Sequence, residues 1–195
     1  MSTLMQLIGG IFFLLNKIFF SVGERVALDG RGDDQKWRVR AWIVYIIGLA
    51  PWVVIFIWEH NWIAASVEAS GLPSMVMGLV IALRGGDPQR APRWLDYLAI
   101  IFIPLGIGFS FWDFGGLNTL RQWLEVGLVV GYVVGTYQLA KQRTQGYLWF
   151  VLMHLSCGHL MWVQSYGWLT LQQVVSLVFI VDAYVMSQRK GIKTT

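Results

Sequence analysis

Two histidines in one long apolar run are the residues whose side chains could do the most chemistry in this chain. His154 lies near the middle of residues 147–163, and His159 follows five positions later. A pair four positions apart would share a helix face and could chelate a metal ion, but this spacing turns the two rings apart. We therefore expect no metal site. Two roles stay open for His154, packing between helices or hydrogen bonding to a solute.

Other polar and flat side chains lie in apolar runs where a solute could meet them. Glu68 could hydrogen-bond a solute or carry a proton, or it could pair with Arg121 or another interior polar group. Polar groups within a membrane span are costly, so they tend to face the interior of a helix bundle. We predict a substrate-binding set of hydrogen-bonding groups and indoles: Glu68, Trp52, Trp149, His154, Gln172 and Gln173. The two glutamines are adjacent, so we expect one of them to face the interior.

Catalytic sequence patterns are missing from the chain. It has no GxSxG, no HExxH and no phosphate-binding loop, and its one cysteine, Cys157, stands alone. No face combines two carboxylates suited to acid–base work. We expect no enzyme activity, no catalytic residues and no cofactor. Without a nucleotide-binding motif, ATP is not expected to be a direct energy source.

Seven long apolar runs must position these side chains. Hydrophobic residues make up 56% of the 195 residues and charged residues only 13%, well below the roughly 25% of soluble domains. A membrane-spanning helix needs about 20 predominantly apolar residues. The pattern predicts an all-α integral membrane protein with seven transmembrane helices, at residues 4–22, 41–58, 62–83, 95–112, 118–140, 147–163 and 168–187.

The basic residues predict how these spans are oriented. All but two of the 15 Lys and Arg residues fall on one side when the loops alternate, which makes that side cytoplasmic. The N-terminus is then outside, and a tail at residues 188–195 is cytoplasmic. Residues 23–40 are expected to form a long loop in water. The net charge of +4 follows from this topology, so nucleic acid is not an expected partner.

The two basic residues outside this bias, Lys17 and Arg121, lie near the ends of predicted spans. We expect both side chains to snorkel to the interface, with Asn16 beside Lys17. Tryptophans near the ends of runs are expected to anchor the helices at the membrane surface. They are Trp58, Trp62, Trp94, Trp112, Trp162 and Trp168. The glycines at 127, 131 and 135 predict a face for close helix packing.

Two internal repeats divide the spans. A shift of about 106 residues superposes the turn at 59–62 on the turn at 164–168. The spans then group as three, one and three, and the odd linker span gives both triplets the same orientation. We predict a single membrane domain over residues 1–195. In it, parallel three-helix bundles at 4–83 and 118–187 are joined by a linker helix at 95–112.

Residues 139–150, Leu-Ala-Lys-Gln-Arg-Thr-Gln-Gly-Tyr-Leu-Trp-Phe, and residues 169–179 resemble the last three helices of PnuC-type nicotinamide riboside transporters. Residues 67–69, Val-Glu-Ala, and residues 75–78, Met-Val-Met-Gly, resemble a segment of the family's first half. Residues 70–71, Ser-Gly, stand where the family often has glutamine. This family is related to the SWEET sugar transporters and has seven helices arranged three-one-three.

The resemblance implies a transporter in a bacterial inner membrane that moves nicotinamide riboside or a related ribosyl or vitamin compound. Alternating access would give facilitated diffusion, and a separate cytoplasmic kinase could trap the substrate. Besides the lipid bilayer and the substrate, a second copy of the chain stays open as a partner. The alternative from another class is a non-transporting membrane scaffold or assembly subunit. A transporter should gather its interior polar residues around one cavity, whereas a scaffold should scatter them as isolated pairs.

Overall fold

The computed structural model describes residues 2–30, 32–58, 60–114 and 118–193. Seven stretches of this part of the chain are long and apolar enough to cross a membrane. The prediction of an all-α chain with seven helical stretches suited to span a membrane is therefore confirmed for the described residues. The described helices are α1 (Ser2–Asp29), α2 (Asp34–Trp58), α3 (Trp62–Ser70), α4 (Leu72–Leu83), α5 (Arg93–Phe114), α6 (Leu120–Ala140), α7 (Gln145–Val163) and α8 (Gly167–Lys193), with a short 3-10 helix at Pro88–Arg90.

The third span is broken in its middle, between α3 and α4. Pro73 lies in the first turn of α4 and cannot donate the backbone hydrogen bond that a continuous helix needs. The Tyr132 hydroxyl of α6 approaches Gly71 so closely that any side chain there would collide with it. The same hydroxyl donates to the Glu68 carbonyl at 2.8 Å. A neighbouring helix thus satisfies the opened backbone, and the break places Glu68 in the last turn of α3.

The connection between the first two spans is much shorter than predicted. The expected loop over residues 23–40 is wrong, because α1 continues to Asp29 and α2 begins at Asp34. Two of the charges that interrupt the apolar pattern are paired inside the protein, where Arg38 donates to Glu24 at 2.7 Å. Charged residues that pair with one another can be accommodated within a span, so the helices extend past the end of the apolar run.

The last helix is also longer than predicted. Residues 188–193 continue α8 rather than forming a separate tail. Asp182 of α8 accepts hydrogen bonds from Arg25 and Ser21, so two residues of α1 hold this part of the helix. Asp182 therefore makes a contact between the first and last spans.

Six of the seven spans form a closed ring. α1 packs on α2 and α8, α2 on α3 and α4, α4 on α6, α6 on α7, and α7 on α8. The linker span α5 lies outside this ring, against α3, α4 and α6. Within each predicted triplet the middle span joins the other two. The principal contacts therefore outline two arcs of one ring, and the division into two three-helix bundles stays a prediction.

Glycines bring α6 and α7 together backbone against backbone, which confirms the predicted packing face. A Cβ atom at Gly131 would lie 2.6 Å from the carbonyl oxygen of Trp149 and 2.8 Å from the backbone nitrogen of Met153. At Gly127 and Gly135 a Cβ atom would meet side chains of α7 at 2.7 and 2.5 Å. These approaches are too close for any residue but glycine.

Gly131→Leu is expected to lower the yield of folded protein sharply, because the atoms it would strike are the backbone of α7 and cannot turn aside. Overpacking of this kind costs about 1–3 kcal/mol or more. Gly108→Leu in α5 is the matched control, since a Cβ atom there meets nothing within 4 Å. Yield after detergent extraction and size-exclusion chromatography measures the difference. A normal yield for Gly131→Leu would show that α6 and α7 do not pack through this face.

The six tryptophans predicted as interfacial anchors all lie at or near helix ends. They are between 56% and 79% exposed in the isolated chain. An indole in this position can place its ring among lipid headgroups while its N–H finds a polar partner. Their placement is therefore the one expected of anchors at two membrane surfaces.

Candidate functional site

The most unusual group inside the ring is the ammonium of Lys17, on α1. Lys17 is only 2% exposed, and Asn16 beside it is fully buried. The Asn16 amide donates to the Ala41 carbonyl at 2.9 Å, and the Lys17 ammonium donates to Asn16 Oδ1 at 2.8 Å. The predicted interfacial position of both residues is wrong, because α1 continues to Asp29 and leaves them well inside the helix.

Two aromatic rings flank the Lys17 ammonium. Its Nζ atom lies 4.0 Å from the centre of the Phe150 ring and 4.3 Å from that of Tyr45. Such cation–π contacts stabilise a desolvated ammonium by about 2 kcal/mol. Among the residues that the structure describes, no ion pair includes Lys17. The ammonium therefore keeps hydrogen-bonding capacity that the protein itself does not use.

A chain of hydrogen bonds orients His154 beside this lysine. Gln172 Nε2 donates to the Gly10 carbonyl at 3.3 Å, and Gln173 Nε2 donates to Gln172 Oε1 at 3.2 Å. His154 Nδ1 lies 2.6 Å from Gln173 Oε1. Because the chain starts at a carbonyl, each amide must present its oxygen to the next group, and we assign the proton to Nδ1. The structure thus brings together three of the predicted site residues, and both glutamines take part.

The second ring nitrogen of His154, Nε2, is unpaired in the described chain. Nε2 is buried without a hydrogen-bond partner, in a residue that is 4% exposed. With the proton on Nδ1, a neutral ring offers Nε2 as an acceptor. Phe150 lies one turn before His154 and packs edge-on against its ring, and Lys17 is close enough to interact with the imidazole electrostatically. A cation and an unfilled acceptor therefore lie close together inside the ring.

Glu68 approaches the same interior from α3. Its Oε2 atom is buried and has no hydrogen-bond partner in the described part of the chain. The carboxyl is close enough to Tyr45 and Tyr132 to interact with them electrostatically. The alternative in which Glu68 pairs with Arg121 is not observed, because Arg121 donates to Glu125 at 3.0 Å. Tyr45 is thus close to both Lys17 and Glu68.

The two tryptophans of the predicted site take no part in the hydrogen bonds and cation–π contacts of this cluster. The backbone of Trp149 lies against Gly131, and a Cβ atom added at Gly135 would lie 3.2 Å from the Cβ atom of Trp149. Trp149 therefore packs on α6. The Trp52 indole packs on Gly9, and its Nε1 is buried without a partner. Phe150, the neighbour of Trp149, is the aromatic residue of α7 that faces Lys17.

A second polar layer crosses the ring seven residues away on three helices. Glu24 Oε1 accepts from Arg38 Nη2 and from the Tyr147 hydroxyl, both at 2.7 Å. Arg38 Nε also lies 3.5 Å from an oxygen of Asp34. Seven residues of helix rise about 10.5 Å. This layer, which we call the Glu24–Arg38–Tyr147 layer, is therefore about 10 Å from the layer of Lys17, Tyr45 and His154.

A cavity of about 390 Å³ opens beyond the Glu24–Arg38–Tyr147 layer. Its wall includes Gly86, Gln142 and Arg143 from the basic connections between spans, and we call this end of the ring the basic face. Glu24, Arg38 and Tyr147 also line the cavity, so their hydrogen bonds close its inner end. The cavity leads toward the cluster around Lys17 and is separated from it by one polar layer.

Sequence reasoning missed Lys17, Tyr45 and Phe150, and it also missed the Glu24–Arg38–Tyr147 layer. A usable signal was present on α1, where Lys17 and Glu24 are seven positions apart. Residues at this spacing share one face of a helix, so two charges there indicate a polar interior face. For Tyr45 and Phe150 no such signal exists, because aromatic residues are common on every face of these spans.

Comparison with other proteins identifies no family for this chain. The chain matches no protein-family model, and neither a curated protein nor a solved structure matches it significantly. The class that the fold defines is that of a multi-pass, all-helical membrane protein.

Proposed function

We propose that this protein is a transporter for a small vitamin-like metabolite, nicotinamide riboside or a related ribosyl or vitamin compound. One observation carries the proposal. Polar groups from α1, α3, α7 and α8 converge inside one ring of helices, and His154 Nε2 and Glu68 Oε2 are buried there without partners. Unfilled polar groups inside a membrane protein are costly and mark solute pathways more often than packing contacts.

The position of the cavity supports transport by alternating access. A solute entering at the basic face would reach the Glu24–Arg38–Tyr147 layer first and would meet Lys17 and His154 about 10 Å further on. Movement of α1 and α2 away from α7 would break the hydrogen bond from Tyr147 to Glu24 and open this path. The layer then acts as a gate, and passage is facilitated diffusion without direct use of ATP. A separate cytoplasmic kinase could trap the solute.

The helix contacts support two moving halves. The packing of α1 on α2 corresponds to that of α6 on α7 under the sequence repeat, and the packing of α2 on α4 corresponds to that of α7 on α8. The contacts between the halves also correspond, since α4 packs on α6 as α8 packs on α1. We therefore keep the three-one-three arrangement as part of the proposal, with α5 as the linker.

The scaffold alternative makes a different use of interior polar groups. It predicts isolated pairs between helices, and the contact of Arg25 with Asp182 is one such pair. The chain of bonds from Gly10 to His154 is not of that kind, because it ends in a free acceptor beside a buried cation. The proposal assigns no catalytic chemistry to the chain.

The proposal is tested by a binding panel on the purified protein in detergent. Vitamins, nucleosides and sugars are added in turn, and the melting temperature is recorded. A ligand at 100 times its Kd stabilises the folded state by about 2.7 kcal/mol, so a ribosyl or vitamin compound should raise the melting temperature by several degrees. Stabilisation by none of these compounds would contradict a vitamin transporter, and stabilisation by sugars alone would assign a different substrate.

The proposed orientation places the basic face in the cytoplasm. Single cysteines at Asp33 and Gln89, in a Cys157→Ser background, are expected to resist an impermeant thiol reagent in intact cells and to react after permeabilisation. A cysteine at Gln164, in the exposed turn between α7 and α8, is the control and should react in intact cells. Labelling of Asp33→Cys or Gln89→Cys from outside would contradict the proposed orientation and place the basic face outside the cell.

A further inference from the structure

The two buried cations of the described chain, Arg38 and Lys17, have very different surroundings. Arg38 has two carboxylates within 4 Å, those of Glu24 and Asp34. Lys17 is as deeply buried, yet its ammonium contacts only one amide oxygen and two aromatic rings of the described chain. A buried ammonium without a counter-ion is expensive. The described part of the chain therefore supplies no anion to this site, and a solute can supply it.

Resting on the proposed transport function, we infer that the transported solute carries a carboxylate, and that the Lys17 ammonium binds it. The ammonium has three N–H donors and gives one to Asn16, so two remain for the oxygens of one carboxylate. His154 Nε2 accepts a hydrogen bond from a hydroxyl or N–H group of the same solute. The substrate class narrows from vitamin-like compounds in general to their acidic members.

The number of charges favours a carboxylate over a phosphate. One ammonium neutralises a carboxylate completely, and a neutral pair is tolerated in a low-dielectric interior far better than a charged one. A phosphate near neutral pH carries up to two charges and is bound by several donors. Lys17 is the one buried cation near His154 in the described part of the chain, since Arg38 lies in the other layer.

The test uses pairs of compounds that differ only in a carboxylate or an amide. They are nicotinate riboside with nicotinamide riboside, and nicotinate with nicotinamide. The purified protein is expected to bind the carboxylate member of a pair at least about tenfold more tightly, measured by titration calorimetry. Lys17→Met, which keeps the length of the side chain and removes its charge, should abolish this preference. Lys36→Met removes an exposed lysine and should keep it.

Lys17→Met should also melt no lower than the parent, because it removes a buried charge that has no counter-ion. Lys17→Arg keeps the charge and provides a second variant in case Lys17→Met does not fold; it should retain the preference. Equal binding of both members by the parent, or a preference that survives in Lys17→Met, would overturn the carboxylate inference and leave the transport proposal standing. Binding of none of the four compounds, together with no stabilisation by any compound of the binding panel, would contradict both.

Discussion

Arg38→Met is expected to lower the free energy of unfolding by about 3–5 kcal/mol, the usual cost of removing one partner from a buried ion pair. The substitution leaves the Glu24 carboxylate buried with the Tyr147 hydroxyl as its remaining donor. Since Glu24, Arg38 and Tyr147 join α1, α2 and α7, the loss should affect the whole ring. Equilibrium unfolding in mixed micelles, followed by circular dichroism, measures the change.

Two further variants show whether burial is the cause. Arg121→Met removes a cation of similar type whose side chain is 68% exposed, from an ion pair with Glu125. Exposed pairs contribute about 0–1 kcal/mol, so its effect should be small. Glu24→Leu combined with Arg38→Met removes both charges and should recover most of the lost stability. Equal effects of Arg38→Met and Arg121→Met would show that the Glu24–Arg38–Tyr147 layer is open to water.

His154→Ala is expected to weaken solute binding by about 5- to 150-fold. Losing one hydrogen bond costs about 1–3 kcal/mol when its partner stays buried and unpaired, which corresponds to that range of affinity. The variant also removes the 2.6 Å hydrogen bond between His154 Nδ1 and Gln173 Oε1. Titration of the purified protein with the compound identified in the binding panel measures the loss.

His159→Ala is the matched control on the same helix. His159 is exposed, five positions further along α7, and its removal should leave affinity unchanged. Melting curves of both variants establish that they are folded before affinity is compared. Binding by His154→Ala as tight as that of the parent would make His154 a packing residue and would remove it from the site.

The features that sequence could predict are those set by local composition. Seven spans follow from runs of about 20 apolar residues, and the close approach of α6 and α7 follows from glycines four positions apart. The break at Gly71 and Pro73 lies where the sequence places two residues unsuited to a continuous helix. Each of these signals is contained in a short stretch of chain.

The features that sequence could not predict depend on partners far along the chain. Arg38 and Glu24 are 14 residues apart, and Arg25 and Asp182 are 157 residues apart. Without these pairings a charge ends an apolar run, which is why α1 was expected to stop at residue 22 and Lys17 was expected near its end. Pairing extends the helix and moves Lys17 into the interior.

The candidate site was predicted in part, for a related reason. A polar residue in an apolar run is expected to face inward, and His154, Gln172 and Gln173 do meet inside the ring. Aromatic residues give no such direction, because they suit lipid and interior equally. The choice between Trp149 and Phe150 therefore required the packing of α6 on α7.

The central claim is that this chain alone carries a small solute across a membrane, and entrance counterflow tests it most directly. Liposomes containing the purified protein are loaded with unlabelled nicotinamide riboside or nicotinate riboside, whichever the protein binds more tightly. They are then diluted into a trace of labelled compound without ATP or an ion gradient. The account predicts that label accumulates inside transiently above its outside concentration, because one site faces the two sides in turn. Label entering no faster than in protein-free liposomes would contradict transport and leave the scaffold alternative.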